Sequence, residues 1–345
     1  MPASRTTISF LDAKTPLFVG VDVGGTNTKI GLVDDLGRTL SFLSIATEEP
    51  AGPEAGIRRI GNAVRQMIMV AGLPPGSVAR VGLGTPGPLD LATGTLVAPV
   101  NMPHWHNFPI RDRLAQACNL PVTYGNDASA AAFAEYWLGW GSVQSLAMFT
   151  LGTGIGGGII VDGKPIDGQH SLGGEYGHAI IDCSETARLC GCGQRGHLEA
   201  YASATSVVKC TNEELQSGRK SSLTYRMEQG APLTTLLLAE EAENGDALAL
   251  EIVMDTARYM AVGIVNIMHT IDPEIIILGG AMNFGGIQSQ LGRRFLEQIR
   301  QEVRRRTFAM LADRTKIEFA RLESDAGYLG AAGLARTEYY QSKNV

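Results

Sequence analysis

The sequence lacks any apolar run able to cross a bilayer: stretches such as Glu274 to Gly280 (EIIILGG) fall far short of the about 20 residues a spanning helix needs. It also lacks a secretory leader pattern, because MPASRTTISF at the start has no charge-then-apolar order. These absences lead us to expect a cytoplasmic protein with no membrane partner. No basic block occurs, and 29 Lys and Arg against 35 Asp and Glu give a formal charge of −6. Nucleic-acid binding therefore has no electrostatic support. Cysteine is scarce, and three of the five lie within Cys183 to Cys192, unlike the spread framework of a disulfide-stapled secreted domain. No GxxxxGK[ST] occurs either, which excludes a standard P-loop.

What is present is a compact-protein composition, 44% hydrophobic and 19% charged over 345 residues. That length exceeds the usual single core, so two domains are expected. After residues 1–15, read as a loose tail, Leu17 to Val23 (LFVGVDV) is a β-branched run entering the turn Gly24-Gly25. Further strands are expected over Lys29 to Val33 and Thr39 to Ile45, then a helix over about Pro53 to Ala71. Three strands before the first helix argue against a Rossmann start. Arg80 to Leu83, Pro121 to Tyr124, Ser145 to Leu151, Ile159 to Val161, Glu274 to Leu278 and Ile317 to Arg321 read as strands. Helices are expected around Arg111 to Cys118, Ala128 to Leu138, Ala247 to His269, Arg293 to Arg306 and Gly327 to Thr337, with Asp272-Pro273 as a stop. VGVDVGGTNTKIGLVDDLG from Val19 and MFTLGTGIGGGIIVDG from Met148 share the order strand, Gly/Thr turn, strand, acidic turn. Two such hairpins suit a phosphotransferase that grips a polyphosphate, although Gly-rich hairpins also resemble one another by chance.

The densest chemistry lies in GGEYGHAIIDCSETARLCGCGQRGHLEAYAS, Gly173 to Ser203. His178, Cys190, Cys192 and His197 are spaced His-x11-Cys-x-Cys-x4-His, and two thiolates with two imidazoles close a tetrahedral structural zinc site. Reduced thiols beside unrelated histidines are the plainer reading, and Cys183 could replace one ligand. Glu175 and Glu199 stand just outside the series and would be free for other work. In Asp22-Val23-Gly24-Gly25-Thr26-Asn27 the glycines allow close approach to phosphate, Thr26 and Asn27 carry donors, and Asp22 could orient hydrated magnesium. An ordinary hairpin turn is the alternative. Gly152 to Gly157 satisfies GxGxxG but continues as Ile159-Ile160-Val161, so it reads as a phosphate hairpin rather than a dinucleotide fingerprint. Asn126-Asp127 sits where a strand passes into a helix. An ionised carboxylate there suits a general base that takes the proton of a sugar hydroxyl during phosphoryl transfer, or a plain N-cap formed by Asp127.

Taken together, DVGGTNTKIGLVD, GTPGPLD, GNDASAAA, LGTGIGGG, GGEYGH, CGCGQRGHLEAYAS and ILGGAMN make the chain resemble the ROK family (repressor, open reading frame, kinase) from Val19 to about Arg336. The resemblance implies an α/β, two-lobed, actin-like ATPase fold of the hexokinase type (ribonuclease H-like) with a zinc-binding loop. It implies ATP-dependent phosphorylation of a hexose, with Asp127 as base and Gly87, Asn101, Asn126, Glu175, His178 and Glu199 holding the sugar. Gly24, Gly25, Thr26, Asn27, Gly152, Thr153, Gly154, Gly279 and Gly280 match nucleotide positions. His178 would then serve both zinc and sugar. His197 stands where the family usually has a third cysteine, which changes the implied ligand set to Cys2His2. About sixteen residues before the first strand leave no room for the DNA-binding module of the family's repressors.

The resulting expectation is a glucokinase-like hexose kinase using ATP, Mg2+ and structural Zn2+. A small lobe over 16–125 and a large lobe over 126–345 would close around the substrates, the last helix packs near the hinge, and a homodimer is implied by the resemblance alone. Rivals are a kinase for an N-acetylhexosamine or fructose, a non-catalytic sugar-sensing regulator, and an NAD-dependent dehydrogenase.

Overall fold

The computed structural model describes residues 6–74 and 76–343. In chain order the elements are β1 (Leu17–Val23), β2 (Asn27–Val33), β3 (Thr39–Ala46), α1 (Pro53–Val70), β4 (Val78–Thr85), β5 (Leu89–Asp90), β6 (Thr95–Leu96), α2 (Ile110–Cys118), β7 (Val122–Asn126) and α3 (Asp127–Ala134). There follow β8 (Ser145–Leu151), β9 (Ile155–Val161), β10 (Lys164–Pro165), α4 (Glu199–Ala202), α5 (Ala204–Gln216), α6 (Ser222–Glu228), α7 (Thr235–Glu243) and α8 (Ala247–Ile271). The chain closes with β11 (Ile275–Gly279), α9 (Gln290–Arg306), α10 (Ala309–Arg314), β12 (Lys316–Phe319) and α11 (Ala326–Lys343). The helix α8 ends where Asp272 turns left-handed (φ 46°) ahead of Pro273, as the stop signal predicts. No helix among the described residues is long and apolar enough to cross a membrane.

Two compact units divide the chain: 1–142 with 158–173 and 321–345, and 143–157 with 174–320. The first contains the sheet β3-β2-β1-β4-β7, antiparallel across β3, β2 and β1 and parallel across β1, β4 and β7. The other five-stranded sheet runs β10-β9-β8-β11-β12, with β8, β11 and β12 parallel. Both follow one plan, in which a glycine-turn hairpin is extended by parallel strands, so the repeat glimpsed in the sequence exists at the level of strand order.

Apolar strand residues make the core of each unit. In the first, Val19, Val21, Ile30 and Leu83 are fully buried with Ile57, Ile60 and Val64 of α1. In the second, Ile275 to Leu278 are fully buried, and Phe295 and Ile299 of α9 are likewise enclosed. The Ala- and Gly-rich composition of α11 has a steric cause. A methyl group on Gly20, Gly82 or Gly330 would lie 1.8, 1.7 or 1.7 Å from the carbonyl oxygens of Tyr328, Ala331 and Ala130 respectively. Helix α11 therefore meets β1, β4 and α3 backbone to backbone, a contact only glycine permits.

Two expectations need correction. Of the segment read as a loose tail, residues 1–5 lie outside the described residues, but Ile8 N–H donates to the Thr39 carbonyl at 3.0 Å and Lys14 N–H to the Asp34 carboxylate at 3.0 Å. The open edge of β3 and a buried carboxylate supply partners that local composition does not reveal. The helix expected to Leu138 stays α-helical only to Ala134 and then widens into a π turn over Glu135–Gly139. There the buried Glu135 carboxylate accepts N–H groups of Arg321 and Leu322 at 2.8 and 2.7 Å.

Gly82→Ala is expected to lower stability by about 1–3 kcal/mol, because the added methyl overpacks the α11 contact. Chemical denaturation measures it, and an unchanged midpoint would contradict the close packing.

Candidate active site and metal centre

In the first unit, β7 delivers Asn126 and Asp127 to the start of α3. The Asn126 side chain caps the helix, its Oδ1 accepting N–H groups of Ala128 and Ser129 at 2.8 and 3.2 Å. The cap role considered for Asp127 thus belongs to its neighbour. Asp127 takes the first helical position, with Oδ1 also accepting from Ala128 N–H at 2.8 Å, where aligned backbone dipoles favour a carboxylate. The register Thr85↔Asn126 between β4 and β7 places the Gly87 turn on the neighbouring strand end.

The hairpin between β1 and β2 closes through Gly24 N–H to the Asn27 carbonyl at 3.0 Å, leaving Thr26 and Asn27 exposed. A methyl group on Gly25 would stand 2.9 Å from the Asn101 carbonyl oxygen, so the structure brings together two residues that the motifs led us to expect at the nucleotide and at the sugar. Asp22, at the end of β1, packs against Gly327 in the first turn of α11. Burial pushes its carboxyl up despite the attraction of Lys29.

In the second unit, Gly152, Thr153 and Gly154 form the turn between β8 and β9. Gly152 N–H donates to the Gly154 carbonyl at 3.0 Å, Ala204 N–H to the Gly152 carbonyl at 2.9 Å, and the Thr205 hydroxyl to the Thr153 carbonyl at 2.8 Å. Gly280, at φ 90°, follows β11, and a methyl group there would sit 2.2 Å from the Leu151 carbonyl oxygen. The positions Gly152–Gly154 and Gly279–Gly280, distant in sequence, are thus joined at the ends of the adjacent strands β8 and β11.

His178, Cys190, Cys192 and His197 also come together, each offering a ligand atom within 4.8 Å of the others. The two Nδ1 atoms are 3.2 Å apart, Cys192 Sγ lies 3.3 Å from His197 Nδ1, and Cys190 Sγ lies 3.8 Å from His178 Nδ1. A tetrahedral zinc ion, at about 2.3 Å from sulfur and about 2.0–2.1 Å from nitrogen, spaces its ligands about 3.3–3.8 Å apart. These three separations are of that size. Cys183 is exposed and outside the four. Burial pushes the Cys190 thiol up to about 12, the Cys192 backbone N–H opposing and the Cys192 side chain and Glu199 reinforcing it, so a bound cation would have to draw off its proton.

His178 turns its other nitrogen, Nε2, toward the Glu175 carboxylate at 4.0 Å. Burial raises the Glu175 carboxyl, His178 opposes this, and Glu199 reinforces it. Glu199 is more engaged than its place outside the ligand series suggested. Its Oε2 accepts Ile155 N–H at 2.8 Å, and the Cys190 thiol approaches its Oε1 at 3.5 Å. A carboxylate from the cysteine loop therefore anchors the glycine turn.

Sequence reasoning missed Thr47, Glu49 and His104, which hold the hairpin and the Asn101 loop. The histidine-flanked tryptophan in NMPHWHNF was the available signal.

These features define an α/β phosphotransferase-like protein with paired glycine hairpins and a Cys/His cluster. A family profile described as ROK family matches residues 18–338, and the chain belongs to that family. A glucokinase of Halalkalibacterium halodurans is 31% identical over 322 residues, 93% of this chain and 95% of that protein. The crystal structure of a ROK hexokinase from Thermus thermophilus superposes with a TM-score of 0.78 at 31% identity, covering 95% of this chain and 100% of that one. A ROK family glucokinase from Streptomyces griseus, solved in complex with glucose and AMPPNP, gives a TM-score of 0.75 at 31% identity over 93% of this chain and 99% of that one. The actin-like ATPase fold expected from the motifs is borne out.

Elemental analysis of the purified protein is expected to find one zinc per chain. Stripping it with a chelator should lower Tm by at least about 4 °C, and the Cys190→Ser/Cys192→Ser double variant should retain none. A metal-free native protein would contradict the ligand assignment.

Proposed function

We propose that this sugar kinase transfers the γ-phosphoryl group of ATP to the 6-hydroxyl of glucose. The observation that carries the reading is the placement of Asp127 on the first turn of α3, beside a neighbour that already caps the helix. With Asn126 Oδ1 occupied by the cap, its amide group is the part left to meet a sugar oxygen. A sugar alcohol is a weak nucleophile near neutral pH, and Asp127 accepts its proton as the oxygen attacks phosphorus in line. Amides of the two glycine turns other than those of Gly24 and Gly152, which close the turns themselves, cradle the phosphates, Gly279 and Gly280 leave room for the nucleotide, and Asp22 would orient the magnesium that accompanies ATP.

Glu175, His178 and Glu199 are proposed to hold further sugar hydroxyls, and Gly87 and Asn101 are proposed as sugar contacts as well. Bound through His178, Cys190, Cys192 and His197, zinc would supply fixed loop geometry rather than a reacting group. With zinc bound, His178 would offer one ring nitrogen to the metal and keep the other for the sugar. The chemistry itself rests on proton transfer to Asp127 and charge stabilisation by the hairpins.

Asp127→Asn is expected to cut kcat at least about a hundredfold while glucose still binds, as read by coupled ADP release and calorimetry. Near-normal turnover would reject Asp127 as the base. In the same assay over a sugar panel, glucose should give the highest kcat/KM; preference for N-acetylmannosamine, N-acetylglucosamine or fructose would move the substrate assignment while leaving the reaction class in place.

A further inference from the structure

Three residues after β3 link two parts of the first unit that the proposed function treats separately. Thr47 faces the glycine hairpin: its N–H donates to the Thr26 carbonyl at 2.9 Å, and its hydroxyl to the Gly24 carbonyl at 2.6 Å. Glu49 faces the other way. Its buried carboxylate accepts the His104 backbone N–H at 2.6 Å and meets the His104 ring Nδ1 at 2.9 and 3.1 Å. Its carbonyl accepts the Trp105 indole N–H at 3.2 Å. Between them Glu48 holds a left-handed backbone, φ 47°, a conformation that costs a non-glycine residue about 1–3 kcal/mol and persists only where surroundings impose it. Here Arg59 pairs with the Glu48 carboxylate at 3.1 Å and also binds the Thr47 carbonyl.

The loop that Glu49 grips carries Asn101. Met102 N–H donates to the Pro99 carbonyl at 3.1 Å and Trp105 N–H to the Met102 carbonyl at 3.0 Å, so two successive turns fix the loop. Met102 and Trp105 are fully buried, whereas Asn101 is exposed between these anchors and touches Gly25. The His104 hydrogen bonds hold the Glu49 carboxyl below its usual range in spite of burial, as a charge-assisted contact requires.

We infer that Glu49 is a positioning residue for Asn101, and that the strap Thr47–Glu49 sets the sugar-holding loop and the phosphate hairpin in one fixed relation. The strap acts through His104, Trp105 and Gly24. The inference rests on the kinase reading, with Asn101 as a sugar contact. It adds that sugar affinity depends on a carboxylate buried beneath the loop.

The test compares Glu49→Ala, Glu49→Gln and His104→Ala by steady-state kinetics with the panel sugar of highest kcat/KM, alongside amide hydrogen exchange of 99–108 without ligand. Glu49→Ala is expected to raise the sugar KM about tenfold or more, a loss of about 1.4 kcal/mol or more, while kcat and the ATP KM stay within about twofold. Exchange across 99–108 should quicken about tenfold. Glu49→Gln keeps an acceptor for the His104 N–H and should fall between Glu49→Ala and the native protein. His104→Ala alters an exposed ring, so it remains informative if Glu49→Ala does not fold; a sugar KM raised about threefold is expected.

An unchanged sugar KM in folded variants, or kcat and both KM values shifting together with Tm, would overturn the positioning role. So would unaltered exchange of 99–108, whatever the substrate. Absence of hexose-dependent ADP release from the native enzyme would instead overturn the kinase reading, and the exchange result alone would then decide the strap's role.

Discussion

The N-terminal turn of α3 is the constraint on which the rest depends. A carboxylate there sits in the field of unpaired helix amides, and Asn126 already supplies the cap oxygen. Asp127 shares the Ala128 N–H from the first helical position instead of forming the cap itself. Strand β7 fixes where the turn begins, β4 pairs with β7 in parallel register, and α11 packs against α3 at Gly330 without room for a methyl group. Backbone-to-backbone contacts of this kind transmit little slack, which suits the proposed base, whose carboxylate would have to meet a reacting oxygen closely.

A second theme is the use of carboxylates as anchors for glycine turns. Such turns expose amides to a phosphate but hold themselves poorly. In the second unit, Glu199 receives Ile155 N–H and lies against Gly154, so the Cys/His loop steadies the turn between β8 and β9. In the first unit, Thr47 steadies the turn after β1, and Glu49 extends that support to the loop of Asn101. Each hairpin is therefore braced by a polar side chain from outside it, Glu199 in one case and Thr47 in the other.

Much of this was legible in the sequence wherever the signal is local. Leu17–Val23 and Ser145–Leu151 are strands at the residues their β-branched and aromatic runs indicate. The helix α8 stops at Asp272-Pro273, and the strand Ile155–Val161, which takes in Gly157 itself, rules out a helix-borne dinucleotide turn. The Cys/His spacing also carried through to a cluster whose four candidate ligand atoms lie within 4.8 Å of one another. What stayed hidden depends on partners far apart along the chain. Glu199 reaches Ile155 across 44 residues and Glu49 reaches His104 across 55, and neither periodicity nor turn chemistry encodes such pairs. Asn126 and Asp127 are both good N-cap residues, so only backbone conformation separates the cap from the first helical position.

A crystal structure of the enzyme with glucose and a non-hydrolysable ATP analogue tests the central claim most directly, through the distance from the Asp127 carboxylate to the sugar 6-hydroxyl. The account requires hydrogen-bond contact, about 2.6–3.2 Å. A carboxylate turned away from that oxygen, with no bridging water, would contradict it.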